Sequence, residues 1–239
     1  INQIFKQKKV SEIKSDFINN MTHEFKTPIA TIKLAIDAIE NVNVQNDKKK
    51  TSQYLKMIRD ENERMNMQVE NVLRISQLDK KENIINKNEC DGHKIINEAL
   101  FHLDLLLKNS NTSIDISLLA KQTNINGSHT DLVNVFVNIL ENSIKYSKNQ
   151  PIIKVSTNDE EDFFTTKISD KGMGMSSSVK DKIFDKFFRE TKGNIHDVKG
   201  HGLGLSYVKK IVDLHDGMIY VDSKIGKGTT FLIKLPVIS

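Results

Sequence analysis

Along the first eighty residues the apolar positions Ile18, Met21, Phe25, Ile29, Ile32, Ile36 and Ile39 recur in steps of three and four, the rhythm of one stripe on a helix. Two consecutive steps of four, from Met21 to Ile29, interrupt a strict heptad, and Pro28 sits inside that irregularity. A proline there removes one helical hydrogen bond, so the helix is expected to bend. The polar run NVNVQNDKKK at 41–50 supplies a turn. Leu55, Ile58, Asn62, Met65, Val69 and Val72 then resume the alternation on a second helix, with Asn62 the polar exception that can fix register. Residues 1–80 hold Pro28 as their only proline and no glycine, which suits long helices. A hairpin with such narrow seams encloses little apolar surface, and the expected completion is a homodimer whose two hairpins make a four-helix bundle. The competing arrangement is a coiled-coil arm packed on the rest of its own chain.

After residue 90 the rhythm changes. Ile95, Ile96, Ala99, Leu100 and Leu103 suggest a helix, and Leu132, Val135, Phe136, Ile139 and Leu140 a second one near 129–146. Four β-like runs follow: IIKVST (152–157), FFTTKIS (163–169), MIYVDS (218–223) and TTFLIKL (229–235). This mixture predicts an α+β sandwich, with helices covering one face of a mixed or antiparallel sheet. The charged stretch 81–90 is the expected hinge between a helical hairpin at 1–80 and a second domain at 91–239.

Composition narrows the function classes. With 38% apolar residues in 239, the chain can bury at least one sizeable core. A net charge of +4, no Trp and four Tyr leave little with which to neutralise phosphates and stack bases, so nucleic-acid binding is not expected. The single Cys90 fits a reducing, cytoplasmic compartment. No window has the apolar length of a membrane span, so this segment is not expected to contact a membrane. It opens on a polar helix-forming stretch without an initiator Met, as an excised piece would, which leaves open a parent protein anchored in the bacterial inner membrane.

Chemistry enters at MTHEFKTP, residues 21–28. At about 100° per residue, His23 lies opposite the midpoint of Met21 and Phe25, hence on the solvent face, with Thr27 one turn on and Glu24 beside both. A neutral imidazole is a nucleophile near neutral pH, and an adjacent carboxylate can accept the proton it sheds. Spacing alone equally describes an ordinary surface histidine.

The stretch SDFINNMTHEFKTPIATI (15–32) resembles the H-box of sensor histidine kinases from two-component systems. Four more stretches resemble that family's ATP-binding domain, in order: NILENSIKYS (138–147), DKGMG (170–174), FDKFFRE (184–190) and GHGLGLS (200–206), closed by GKGTTFLIKLP. The resemblance implies a dimerisation and phosphotransfer hairpin followed by an α/β sandwich of the Bergerat type. It implies that His23 is the phospho-acceptor and Glu24 its general base. Thr27 and Glu24 would serve the reverse removal of phosphate from the partner, and Pro28 would let the helix bend around the reacting histidine.

In the second domain Asn138 and Asn142 are one helical turn apart, where amide oxygens can approach a magnesium ion; the resemblance points to Asn142 as the Mg²⁺ ligand. Lys145 and Tyr146 would meet phosphate and nucleotide. Asp170 would accept a hydrogen bond from the adenine amino group, with Gly172 and Gly174 allowing close backbone approach. Gly200, Gly202 and Gly204 precede a predicted helix at 203–214, whose free N–H groups can bind phosphate. Phe184, Phe187 and Phe188 read as packing residues; Arg189 reaches either a phosphate or a surface salt bridge. The segment ETKGNIHDVK (190–199) is the expected lid. Lys171 and His201 depart from the family's usual residues and bear on nucleotide affinity.

Neither a G-x-x-x-x-G-K-[ST] loop nor the kinase H-R-D and D-F-G set occurs. The expected function is therefore ATP-dependent phosphorylation of His23, within one subunit or across the dimer, then transfer to an aspartate of a response-regulator receiver domain. One alternative is an ATP-driven clamp or chaperone of the same superfamily. Such ATPases generally carry a water-activating Glu where this chain has Asn138. The other is a non-catalytic dimeric scaffold.

Overall fold

Asp47 separates two long helices by capping the second. Its Oδ1 accepts from the amides of Lys49 and Lys50 at 3.0 and 3.1 Å, and those hydrogen bonds, that of Lys50 foremost, hold its carboxyl below the ordinary range. The computed structural model describes residues 2–78, 85–147, 150–186, 188 and 202–238, and within the long helices only part of the side chains. The chain divides into two compact units, 1–81 and 82–239.

The first unit is a hairpin of α1 (Asn2–Glu40) and α3 (Lys48–Leu78), joined by the short α2 (Val42–Gln45). Pro28 lies inside α1 and is buried. This corrects the expected stripe. The inward line on α1 is Met21, Phe25, Pro28, Ile32, Ala35 and Ile39, against Thr51, Tyr54, Ile58, Glu61 and Met65 on α3. Both lines step by three and four, the heptad rhythm. Ile29 and Ile36, assigned to the same seam from sequence, stand outside it at 53% and 43% exposure, with Ile18. On α3, Leu55, Asn62 and Val69 are exposed likewise. Each helix thus has two apolar lines about one residue apart, and the sequence pattern merged them.

The second unit begins at β1 (Asn88–Asp91), so residues 88–90 of the expected hinge are part of a strand. Asp91 caps α4 (Gly92–His102), accepting from the amides of His93 and Lys94 at 2.8 and 3.2 Å. The chain continues through α5 (Asp104–Asn109), β2 (Ser113–Leu118), β3 (Asn124–Gly127), α6 (His129–Lys145), β4 (Ile152–Glu160) and β5 (Phe163–Asp170). It ends with α7 (Ser177–Lys180), α8 (Gly204–Leu214), β6 (Met218–Lys224) and β7 (Gly228–Pro236).

Five strands form one sheet in the order β2-β4-β5-β7-β6; β2–β4 is parallel and the other pairings antiparallel. Registered rows such as Val155–Ile168–Phe231–Val221 make its inner face, and α6 packs on β4 and β5, α8 on β6. Phe164 is fully buried, and Gly92 leaves room for it, because a Cβ there would stand 2.5 Å from the ring. The small antiparallel pair β1–β3 lies outside this sheet. Of the four expected strands all are present, slightly longer. β1, β2 and β3 are additions, too short or too polar at their sheet edges to stand out as periodic runs.

Candidate functional site

Residues 21–28 lie within the single helix α1. The side chains of His23 and Glu24 lie outside the described residues. Their described neighbours Thr22, Lys26, Thr27 and Ala30 are exposed, whereas Met21 and Pro28 are buried. The hydroxyl of Thr31 donates to the Thr27 carbonyl at 3.1 Å. Pro28 is therefore both the break in backbone hydrogen bonding and a filler of the seam.

The second unit gathers its polar groups where α6, the β5 end and the start of α8 meet. Asn138 and Asn142 are half-buried on a helix whose other side is core. Asn138 donates from Nδ2 to the Asn134 carbonyl at 2.8 Å. Its Oδ1 comes so near Gly204 that a Cβ there would be 2.6 Å away. Glycine at 204 thus lets the first turn of α8 approach α6. Its N-cap is Leu203, whose side chain has no acceptor, so among the described residues no side chain caps that turn and its amides suit an anion. Gly202, at φ +67°, makes the left-handed turn into it. Gly200, His201, Arg189, Phe187 and the expected lid lie outside the described residues.

Asp170 is held from three sides. Its Oδ1 accepts from the amides of Gly172 at 2.8 Å and Thr229 at 3.1 Å, and its Oδ2 from the Ser143 hydroxyl at 3.3 Å. Burial pushes its carboxyl above the ordinary range, and these hydrogen bonds oppose the shift. The loop that follows is stapled to the β6–β7 hairpin. Gly226 donates its amide to Met173 at 2.7 Å, and Met175 donates to the Ser223 hydroxyl at 2.8 Å. Gly174 and Gly228 have positive φ, and a side chain on either would overlap a backbone carbonyl, of Lys224 and of Asp170 respectively. A Cβ on Gly172 would stand 2.7 Å from the Tyr146 carbonyl oxygen, which accepts from Met173 at 3.0 Å. Lys145 lies with Nζ 5.3 Å from the centre of the Tyr146 ring, and the ring is partly exposed.

The structure thus brings together Asn138, Asn142, Lys145, Tyr146, Asp170, Gly172, Gly174 and Gly204 of the expected set. Sequence reasoning missed Ser143, Thr229 and Gly228, which fix the Asp170 carboxylate and its backbone. Their only signal was that they lie inside the stretches NILENSIKYS and GKGTTFLIKLP, where no role was assigned to them. Half-buried Cys90 approaches the carbonyls of Ile125 and Gly127, and burial pushes its thiol up, away from thiolate chemistry. Among the described residues no three His, Cys, Asp or Glu could jointly hold a metal, and no helix is long and apolar enough to cross a membrane. A cation at this site would rest on amide oxygen and on phosphate, a donor set suited to a hard divalent ion.

Comparison with known proteins matches both units. Residues 13–81 match the His Kinase A (phospho-acceptor) domain, and residues 127–239 the histidine kinase-, DNA gyrase B- and HSP90-like ATPase. The chain is 38% identical over 237 residues to the sensor protein RprX of Bacteroides fragilis, covering 98% of the chain and 46% of that protein. It is 31% identical over 239 residues to the sensor protein kinase WalK of Staphylococcus aureus, covering 99% and 57%. The chain therefore spans about half the length of these relatives. Among solved structures, the histidine kinase AdeS of Acinetobacter baumannii aligns with TM-score 0.66 at 21% identity, over 91% of this chain and 98% of that one. The histidine kinase ThkA, in complex with the response regulator TrrA, aligns with TM-score 0.68 at 21% identity, over 97% and 64%. These two likenesses speak for the fold.

Proposed function

The chain belongs to the sensor histidine kinases of two-component systems, and from that premise we propose that it phosphorylates His23 from ATP and passes the phosphoryl group to an aspartate of a response-regulator receiver domain. The observation that carries this reading is the convergence of three groups in the second unit: the Asn138–Asn142 pair, the uncapped start of α8, and the anchored Asp170.

In this reading Asp170 accepts from the adenine amino group, Tyr146 lies along the nucleotide, and Lys145, Arg189 and the amides at Gly202 and Gly204 receive phosphate oxygens, with Gly200 completing the loop. Asn142 would hold Mg²⁺, which when bound neutralises charge on the phosphates. The imidazole nitrogen of His23 attacks the γ-phosphorus, the bond to the bridging oxygen breaks, and ADP leaves with that electron pair. Glu24 takes the imidazole proton. Positioning and charge neutralisation supply most of the acceleration. With the regulator bound, Thr27 and Glu24 position water for the reverse dephosphorylation. The stretch linking the two units serves as the hinge that lets the nucleotide reach His23.

The outer apolar line of Ile18, Ile29, Ile36, Leu55 and Val69 supports a homodimeric four-helix bundle. In this reading the segment works in the cytoplasm, where ATP and a receiver domain are available, and a parent protein would be anchored in the bacterial inner membrane.

The clamp-ATPase alternative requires a group that activates water near the γ-phosphate. Asn138 instead donates to the Asn134 carbonyl and faces Gly204, and a carboxamide is no general base. The deciding experiment incubates the chain with γ-labelled ATP and Mg²⁺, beside His23→Gln and Asn142→Ala. Acid-labile, base-stable label on the native chain alone supports the proposal. Phosphate release that persists in His23→Gln favours the clamp ATPase.

A further inference from the structure

We infer that His215 is a positioning residue of the nucleotide site, an uncharged imidazole that locks α8 against α6 and releases that lock when it takes up a proton. The inference rests on the nucleotide site proposed above.

His215 follows α8 directly and is 3% exposed. Its Nδ1 lies 2.7 Å from the Ile211 carbonyl oxygen, which can only accept, so Nδ1 carries the hydrogen. Its Nε2 lies 2.9 Å from the Ser128 amide, which can only donate, so Nε2 presents its lone pair. The two partners together fix a neutral ring in one tautomer.

Ser128 is the N-cap of α6, and its hydroxyl accepts from the Asp131 amide at 3.4 Å. Its side chain thus caps the helix while its backbone N–H is held by His215. A second tie runs parallel: the Tyr207 hydroxyl of α8 donates to Asp131 Oδ1 at 2.9 Å. At the opposite end of α8, Gly204 meets Asn138 closely. Helix α6 carries Asn138 and Asn142, and α8 begins with the phosphate-facing amides. The register between these helices therefore sets the distance between the metal-side and phosphate-side groups. Among the described residues the ring's hydrogen bonds go to Ser128 and Ile211, so it acts through the two helices.

Protonation defeats the arrangement. A proton on Nε2 would face the Ser128 N–H with another N–H, donor against donor. The ring is 3% exposed and packs closely on Gly127, where a Cβ would stand 2.7 Å from His215 Cδ2. Burial holds the imidazole below its ordinary range; Lys87 works in the same direction, while the Ile211 carbonyl, Asp131 and Asp216 oppose it. Lys87 and Asp216 are themselves paired at 3.0 Å. Because the folded value is depressed, the lock holds above the unfolded imidazole value and is lost as pH falls through the folded one.

The test titrates the full chain with a fluorescent ATP analogue and Mg²⁺, from about pH 7.5 to about pH 5, a range that spans imidazole titration. Native chain, His215→Gln and His215→Leu are compared, with circular dichroism reporting folding. Glutamine sets one donor beside one acceptor, as the neutral ring does, but does not titrate. The native dissociation constant should rise about tenfold on acidification, the scale of one lost buried hydrogen bond, whereas His215→Gln keeps neutral-pH affinity and a flatter profile. His215→Leu, folded, should bind about tenfold more weakly at neutral pH. A native-like pH profile in His215→Gln, or native affinity in a folded His215→Leu, overturns the inference. If His215→Leu does not fold, the His215→Gln profile decides alone. A native chain that binds no nucleotide at any pH would instead defeat the underlying site, and this inference with it.

Discussion

The two units solve the burial problem in opposite ways. The sandwich closes its core within one chain: Phe164, Ile168, Phe136 and Ile139 are at most 1% exposed. The hairpin closes only one of its two apolar lines, and most residues on that line are half-buried. Two helices have a single mutual seam, whereas a sheet with three helices against it surrounds a volume. The difference shows where each unit's chemistry can sit. The sandwich holds groups rigidly enough to keep a half-buried carboxylate on three donors. The hairpin offers an exposed helical face.

The largest expected effect tests closure itself. Phe164→Ala should lower the second unit's stability by about 3–5 kcal/mol, the cost of a large buried side chain and the cavity left behind. Ile58→Ala, on the half-buried seam, should cost about 1 kcal/mol for the smaller apolar area removed from water. Urea unfolding followed by circular dichroism would compare them; equal losses would break the contrast.

A second experiment addresses the open line. The double variant Ile29→Asp, Leu55→Asp should leave helix content intact while weakening self-association by about a hundredfold, since charge would be buried at the interface. Sedimentation equilibrium reads the change directly. An unaltered association constant would move the dimer surface elsewhere.

The smallest effect concerns pH and Asp170. Burial raises its folded value, so its stabilising contribution is complete below the ordinary carboxyl value and lost as pH rises through the folded one. The native chain should therefore gain stability relative to Asp170→Asn on acidification from about pH 7 to about pH 4, where carboxylates titrate. A difference independent of pH in paired urea melts would contradict the burial assignment.

The five longest helices and the four longest strands were legible because their apolar periods of three to four, or of two, extend over enough residues to exceed chance, whereas the short α2, α5 and α7 were not. The polar boxes were legible because glycine and asparagine recur at spacings that few folds need. Other features depended on neighbours distant in the chain. Whether Ile29 or Pro28 fills the seam depends on where α3 lies, since the two differ by one step on the wheel. Thr229 holds Asp170 only because β7 pairs with β5, and His215 meets Ser128 only because α8 packs on α6. The sequence by itself determined the long helices, the four longest strands and which chemical groups the chain carries, because those follow from local spacing and residue type. The tertiary structure alone decided which groups meet, in what protonation state and on which face, because contact and burial arise between segments that share no local pattern.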